Sequence, residues 1–497
     1  MLYNSTRDNN ATVSAAEAIA HGISREGGLF VPQSVPTLSE DDFKTLRSLD
    51  YIGRAKLVLG RFLTDFSENE LDYCASGAYK NSFDNGLPAP LKAIDENINI
   101  LELWHGPTCA FKDLALQILP YLLTTSSKKV GDGKKTVILV ATSGDTGKAA
   151  LEGFKDVDNT EIIVFYPNDG VSAMQQRQMN TQEGENVFVC AINGNFDDAQ
   201  TGVKTIFTNE EVKNLLANNN MEFSSANSIN WGRLAPQIVY YVSAYCDLLQ
   251  KGEDYLKDGF NVVVPTGNFG NILAAYYAKI MGVPINKLIC ASNSNNVLTD
   301  FLSSGTYDRN RKFFTTVSPS MDILISSNLE RMLYELTGHN DAKISQWQNS
   351  LSRDGKYTVD VNVKACLNKL FWGGFCDEES TYATIKNTFD KYGYLIDTHT
   401  AVAVSVYEDY KKQTGDTRPV VIASTASPYK FANSVIEALG KDAPDNEFEA
   451  VEMLSKLTST TVPAPISALK TADIRFENLC EKQDMKSVVL SRLGIEK

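Results

Sequence analysis

From residue 131 onward, short apolar runs rich in β-branched residues alternate with helix-like stretches, and that alternation restricts the fold more than any other feature of the chain. The runs 136–141 (TVILVA), 161–166 (EIIVFY) and 187–192 (VFVCAI) are almost continuously apolar, the pattern of strands buried on both faces. A glycine-containing turn and a helix through Ala149 and Phe154 follow the first run, and a helix containing Ala199 and Phe207 follows the third. Repeated βαβ units of this kind build a parallel sheet. A second series, 261–264 (NVVV), 288–291 (LICA) and 419–424 (PVVIAS), comes after a long helix through Tyr240 and Leu249. A polar, largely helical segment at about 295–415 lies within this series; its Trp347, Trp372 and Gly373-Gly374 suggest packing and turns, with no site residue assignable.

Residues 1–94 read as mostly helical, with Ser14 and Ser39 placed as N-caps and a turn at Gly27-Gly28 leading into a short extended piece. The expected architecture is α/β, with two open parallel-sheet domains plus a mainly helical N-terminal domain. The expected boundaries are 1–94 for the N-terminal domain, 95–130 with 236–497 for a large domain, and 131–235 for a small one. A chain of 497 residues has room for two or three such cores.

In open parallel sheets ligands lie beyond the carboxyl ends of the strands, and the polar motifs of this chain fall there. The strand-like 98–104 (INILELW) runs into His105-Gly106-Pro107-Thr108-Cys109-Ala110-Phe111-Lys112-Asp113, which delivers one lysine to the start of the apolar run 114–123. An isolated lysine at a helix start is ordinarily a solvated surface group. One desolvated beside Phe111 would have a lowered pKa, leaving a neutral amine able to form a Schiff base with a carbonyl.

Three more motifs accompany it. Thr142-Ser143-Gly144-Asp145-Thr146-Gly147-Lys148 offers hydroxyls and helix-start amides to a carboxylate or phosphate, and its glycine-to-lysine spacing is not that of a Walker A loop. Pro265-Thr266-Gly267-Asn268-Phe269-Gly270-Asn271 converges backbone amides on a helix N-terminus, a phosphate cup or simply a tight turn. Ser424-Thr425-Ala426-Ser427-Pro428 sets hydroxyls where they can hydrogen-bond a neutral ring nitrogen. The separate loop Asn227-Ser228-Ile229-Asn230-Trp231-Gly232-Arg233 adds amide, hydroxyl and guanidinium groups fit for a second phosphate. One lysine, one phosphate cup, one carboxylate loop and one ring-nitrogen hydroxyl together make a pyridoxal phosphate site.

Composition excludes other classes. A net charge of −14 and a pI near 4.9 argue against a nucleic-acid or anionic-membrane binder, which needs clustered positive charge. The four histidines lack zinc-type spacing, no apolar run reaches the length of a membrane span, and no secretory leader pattern opens the sequence. Eight cysteines without a CxxC pair fit reduced, mostly buried thiols, so a cytoplasmic location is expected.

These motifs, with Tyr3-Asn4-Ser5-Thr6-Arg7 and Gly27-Gly28-Leu29-Phe30-Val31-Pro32, run from end to end of the chain, which resembles the threonine synthases among the fold type II, tryptophan-synthase-β-like pyridoxal phosphate enzymes. The resemblance implies that Lys112 carries the cofactor, that Gly267, Asn268, Phe269, Gly270 and Asn271 hold its phosphate, and that Thr425 or Ser424 faces its pyridine nitrogen. It implies that Thr142, Ser143 and Thr146 hold the substrate carboxylate, and that Asn227, Ser228 and Arg233 hold the substrate phosphate. Asp145 stands where many fold type II enzymes have Asn beside the cofactor's phenolic oxygen, although the long microbial and fungal threonine synthases share the Asp. The implied reaction turns O-phospho-L-homoserine and water into L-threonine and phosphate, in a monomer or homodimer without nucleic-acid or membrane partners. The alternative is another fold type II lyase, a serine/threonine dehydratase or a phosphohomoserine phospho-lyase.

Overall fold

The computed structural model describes residues 1–131, 133–142, 144–169 and 171–495. Its largest sheet has six strands in the order Phe371–Phe375, Ile285–Ser292, Phe260–Pro265, Val420–Ser424, Ile98–Glu102 and Leu91–Ala93. The four central strands are buried nearly throughout, as their continuous apolar character requires, and all pairings are parallel except the Leu91–Ala93 edge, which is antiparallel. Trp372 and the glycine pair Gly373-Gly374 therefore belong to an edge strand, where turns were expected. A Cβ at Gly374 would come within 2.9 Å of Val406, so glycine there lets the helix Thr398–Thr414 lie close against the sheet.

The second sheet is wholly parallel, in the order Asn478–Glu481, Val187–Asn193, Thr160–Pro167, Lys135–Ala141 and Met221–Ser224. Its first strand corrects the sequence reading, which assigns all of 236–497 to the large domain. Asn478–Glu481 is short and polar, with nothing in its pattern to mark it as a strand, yet it pairs with Val187–Asn193 and is followed by a helix, Met485–Arg492, packed on the small sheet.

The N-terminal region holds the expected capped helices, Ala15–His21 behind Ser14 and Glu40–Ser48 behind Ser39, each with a reciprocal capping box. It also contains a three-stranded antiparallel sheet ordered Asp8–Ser14, Leu2–Ser5, Phe30–Pro32. The sequence reading missed most of this sheet, because DNNATVS lacks an apolar alternation. Trp231 ties the region to the large sheet: fully buried at the head of the helix Trp231–Leu248, its ring meets Tyr3, Phe62 and Tyr277 edge-on. Among the described residues no helix is long and apolar enough to cross a membrane.

Candidate active site

The site forms where the neighbouring strands Ile98–Glu102 and Val420–Ser424 run out together. Their pairing continues into the loops: the Leu103 amide donates to the Ser424 carbonyl at 2.9 Å, the Phe111 amide to the Thr425 carbonyl at 2.8 Å, and the Ser427 amide to the Cys109 carbonyl at 3.1 Å. This lacing sets Lys112 beside Thr425. The loop folds back on the helix Asp113–Leu116 through the Asp113 carboxylate, which accepts from the Thr108 amide at 2.8 Å and the Thr108 hydroxyl at 2.5 Å. Only glycine fits at 106, since a Cβ there would lie 2.6 Å from that of Asp113. Burial pushes the Asp113 carboxyl up to about 6, against the pull of the Thr108 donors and Lys430.

The Lys112 side chain is only 12% exposed, and its Nζ lies 3.8 Å from Asp145 Oδ2, 3.4 Å from the Ser320 hydroxyl and 5.0 Å from the centre of the Phe111 ring. Burial lowers its pKa, Lys430 and Arg233 lower it further, and Asp145 and Asp113 oppose them. The run 114–123 is two helices rather than one, Asp113–Leu116 and Leu119–Val130, with Lys112 at the head of the first.

Asp145 opens the helix Asp145–Phe154. Its carboxylate receives Lys430 Nζ at 2.8 Å, Gln175 Nε2 at 3.2 Å and the Ser320 hydroxyl at 3.4 Å. Burial opposes its ionisation, but Lys430 and Lys112 outweigh burial and hold the carboxyl far below the usual range. Gly144, at φ 138°, leaves no room for a Cβ against Gln175. The Thr142 hydroxyl accepts from the Gly144 amide at 3.0 Å and the Gly147 amide at 2.9 Å, so it is engaged in shaping the loop. Ser143 lies outside the described residues, and Thr146 is half-buried at the helix start.

At the end of the strand Phe260–Pro265, Phe269 takes the left-handed conformation at φ 63° and Gly270 begins the helix Gly270–Ile280. Amides at a helix start of this kind are able to bind an anion. A Cβ at Gly267 would lie 3.0 Å from the Ser320 carbonyl oxygen, so one loop, through Ser320, touches both the cup and Lys112. Asn328 joins the cup to the Asn227–Arg233 segment: its amide donates to the Asn268 carbonyl at 3.0 Å and its side chain to the Ser228 hydroxyl at 3.5 Å. Asn227 is exposed, whereas Arg233 is buried, with Nη1 on the Ala226 carbonyl. Ser424 Oγ accepts from Trp104 Nε1 at 3.1 Å and from the Thr400 hydroxyl at 3.0 Å, which leaves Thr425 the freer of the two hydroxyls.

Lys430, Ser320, Gln175 and Asn328 are absent from the sequence reading. Lys430 follows the hydroxyl motif by two residues, a signal legible in the sequence; the other three come from elements that only the folded chain brings near. His399 is a fifth, with Nε2 accepting the Ser320 amide at 3.2 Å. Among the described residues no cluster of His, Cys, Asp and Glu fits a metal ion.

The donors suit an organic phosphate bearing a carbonyl. Two buried side-chain donors, Asn271 Nδ2 in the cup and Arg233 Nε in the helix opposite, have no partner among the described residues, and a buried donor without an acceptor costs about 1–3 kcal/mol. Two anionic groups would satisfy them. A ring carrying phosphate and aldehyde matches in its chemistry a set of donors made of a buried amine, helix-start amides and hydroxyls.

Comparison with known proteins agrees with this architecture. The model for the threonine synthase N terminus matches residues 2–79, that for pyridoxal-phosphate dependent enzymes matches 86–369, and that for the threonine synthase C-terminal region matches 400–489. Threonine synthase of Pseudomonas aeruginosa is 37% identical over 445 residues, 89% of this chain and 92% of that protein. Threonine synthase-like 1 of Homo sapiens is 40% identical over 437 residues, 85% of this chain; the aligned part is 58% of the human protein, so this chain spans under two thirds of that relative. The crystal structure of pyridoxal phosphate-bound threonine synthase from Brucella melitensis superposes with a TM-score of 0.88 at 35% identity, covering 99% of each chain.

Proposed function

Because the chain belongs to the threonine synthase family of pyridoxal-phosphate dependent enzymes, we propose that it converts O-phospho-L-homoserine and water into L-threonine and phosphate. The observation that carries this reading is the Arg233 guanidinium, buried, with an unpartnered Nε and near enough to Lys112 to lower its pKa. With the cofactor phosphate and the substrate carboxylate assigned to other loops, a further buried cation suits a substrate that also carries a phosphate.

Pyridoxal phosphate, when bound, draws electron density from the substrate's Cα and Cβ, so that protons can leave both and phosphate can leave Cγ. The chain's residues supply everything else. Lys112 would hold the aldehyde carbon and, once displaced by the substrate amine, its neutral Nζ takes the Cα proton. Gly267, Asn268, Phe269, Gly270 and Asn271 would hold the cofactor phosphate through helix-start amides and the free Asn271 Nδ2. Thr425 would hydrogen-bond the ring nitrogen while leaving it unprotonated, with Ser424 behind it as support. Asp145 would face the phenolic oxygen. Thr142, Ser143 and Thr146 would form the carboxylate loop, with Thr142 fixing its shape. Arg233 would grip two oxygens of the leaving phosphate, and Ser228 and Asn227 would complete that subsite.

The alternative is a fold type II lyase that ends in a keto acid, either a phosphohomoserine phospho-lyase or a serine/threonine dehydratase; the 40% identical human protein is named only threonine synthase-like. Products decide between them. Purified enzyme given O-phospho-L-homoserine should release threonine and phosphate in equal amounts, whereas ammonia and a keto acid in place of threonine would establish the lyase.

A further inference from the structure

Two lysines compete for one buried carboxylate. Lys430 Nζ is 2.8 Å from Asp145 Oδ1, in a side-chain pair only 1% and 4% exposed, and it also donates to the Thr108 carbonyl at 2.9 Å. Lys112 Nζ is 3.8 Å from the other Asp145 oxygen, beyond hydrogen-bond length, and its one hydrogen-bond partner among the described residues is the Ser320 hydroxyl at 3.4 Å. Lys430 is thus fixed by both an anion and a carbonyl, while Lys112 is left with a weak contact.

We propose that Lys430 is a positioning residue for Lys112: by binding the Asp145 carboxylate itself, it withholds that anion from the Lys112 amine and keeps the amine neutral. This rests on the reading of Lys112 as the reacting amine. The charged groups that face Lys112 are Asp145 from the helix Asp145–Phe154, Asp113 beside it in the chain, Lys430 from the turn after Val420–Ser424, and Arg233 from Trp231–Leu248; His399, from Thr398–Thr414, acts on Asp145. With Lys430 in place, Asp145 and Lys430 form a nearly neutral pair, and burial together with Arg233 sets the balance at Lys112. Without Lys430, Asp145 has Lys112 as its nearest remaining cation. The two would pair, Lys112 would keep its proton, and an amine that must attack a carbonyl would be blocked.

The test uses cofactor-free protein, so that it reads the amine directly. Reductive methylation with formaldehyde and a mild borane is followed at Lys112 by peptide mass spectrometry across pH, which gives the midpoint for the neutral amine. The parent midpoint should lie below the ordinary lysine value of about 10.4, and Lys430→Met should raise it by at least about one unit, a tenfold loss of neutral amine at a given pH. Lys430→Arg should stay near the parent, and the double variant Asp145→Asn/Lys430→Met, in which both charges are gone, should return towards it. A Lys430→Met midpoint equal to the parent's would overturn the proposal while leaving Lys112 as the reactive amine. A parent midpoint at the ordinary value would overturn both. If Lys430→Met does not fold, Asp145→Asn alone decides: removing the anion while Lys430 stays should lower the Lys112 midpoint, and an unchanged or higher one refutes the mechanism.

Discussion

The backbone amide of Ser320 donates to Nε2 of His399 at 3.2 Å, and Nδ1 of the same ring sits 2.8 Å from Asp397 Oδ2. This geometry places the ring hydrogen on Nδ1 and leaves Nε2 as an acceptor. Asp397 and His399 are buried, and Asp397 also caps the helix Thr398–Thr414 by accepting from the Thr400 amide at 3.1 Å. The pair therefore pins to the head of that helix the loop whose Ser320 hydroxyl meets Lys112. His399→Leu keeps the bulk and removes the acceptor, and it should cost about 1–3 kcal/mol of stability. Urea unfolding of the cofactor-free protein measures that loss, and kcat/KM should fall with it. Parent-like values for both would mean that the loop is anchored elsewhere.

Lys112 should be the residue that captures the cofactor. Lys148, the other lysine within the strand-end motifs, is already committed to Glu152 at 3.1 Å and to Gln182, and Lys430 is committed to Asp145. Borohydride reduction of the yellow holoenzyme followed by peptide mapping should mark the Lys112 peptide alone, and Lys112→Ala should abolish turnover. A mark on Lys148 or Lys430 would refute the assignment.

Arg233 should separate phosphohomoserine from homoserine. A charge-assisted hydrogen bond is worth roughly 1.5–3 kcal/mol, and 1.36 kcal/mol is a factor of ten in rate, so Arg233→Ala should lower kcat/KM for phosphohomoserine by at least about tenfold. Cofactor occupancy should hold, because the cup at 267–271 does not depend on it. Lysine at 233 keeps the charge without the two-pronged geometry and should restore only part of the activity. An alanine variant as active as the parent would remove this residue from the phosphate subsite.

Asp113 gives the cofactor-free protein a distinctive dependence on pH. Its folded-state value, about 6, lies above the unfolded value of 3.8, so between these limits the native state holds a proton that the unfolded state has released. The stability contributed by protonated Asp113 is full below about pH 4 and is lost as the pH rises to 6, by up to about 3 kcal/mol at 1.36 kcal/mol per unit. Asp145, depressed instead of raised, loses its contribution only at pH values below 3.8, outside this window. Asp113→Asn should therefore flatten the change in unfolding free energy between pH 4 and 6. An equally steep change in the variant would place its origin in another group.

The strands at 136–141, 161–166 and 261–264, and the motifs at their ends, are legible in the sequence because each depends on local pattern: a buried run, then glycine and hydroxyl residues where a helix starts. Lys112, Asp145 and the 267–271 turn converge because their strands end on the same side of two sheets. Lys430, Ser320 and His399 depend on packing between segments far apart in sequence, with only Lys430 close to a motif. Two glycines disguise the strand Phe371–Phe375 as a turn, and Asn478–Glu481 is too polar to read as a strand. In both cases a partner strand supplies the order that the local residues do not encode.

The pairing of Asn478–Glu481 with Val187–Asn193 also governs when the small sheet can be completed during synthesis. Asn193 and Glu481, joined by a side-chain hydrogen bond across this pair, are 288 residues apart. At translation rates of about 5–20 residues per second, the interval between them is roughly 15–60 s. Once Met221–Ser224 has been made, the nascent chain has the other strands of the small sheet but no cover for the outer edge of Val187–Asn193, an apolar strand whose amides and carbonyls on that side are unpaired and open to other chains. The demand for protection during biosynthesis thus falls on that edge, and it ends only when residues 478–481 emerge and dock.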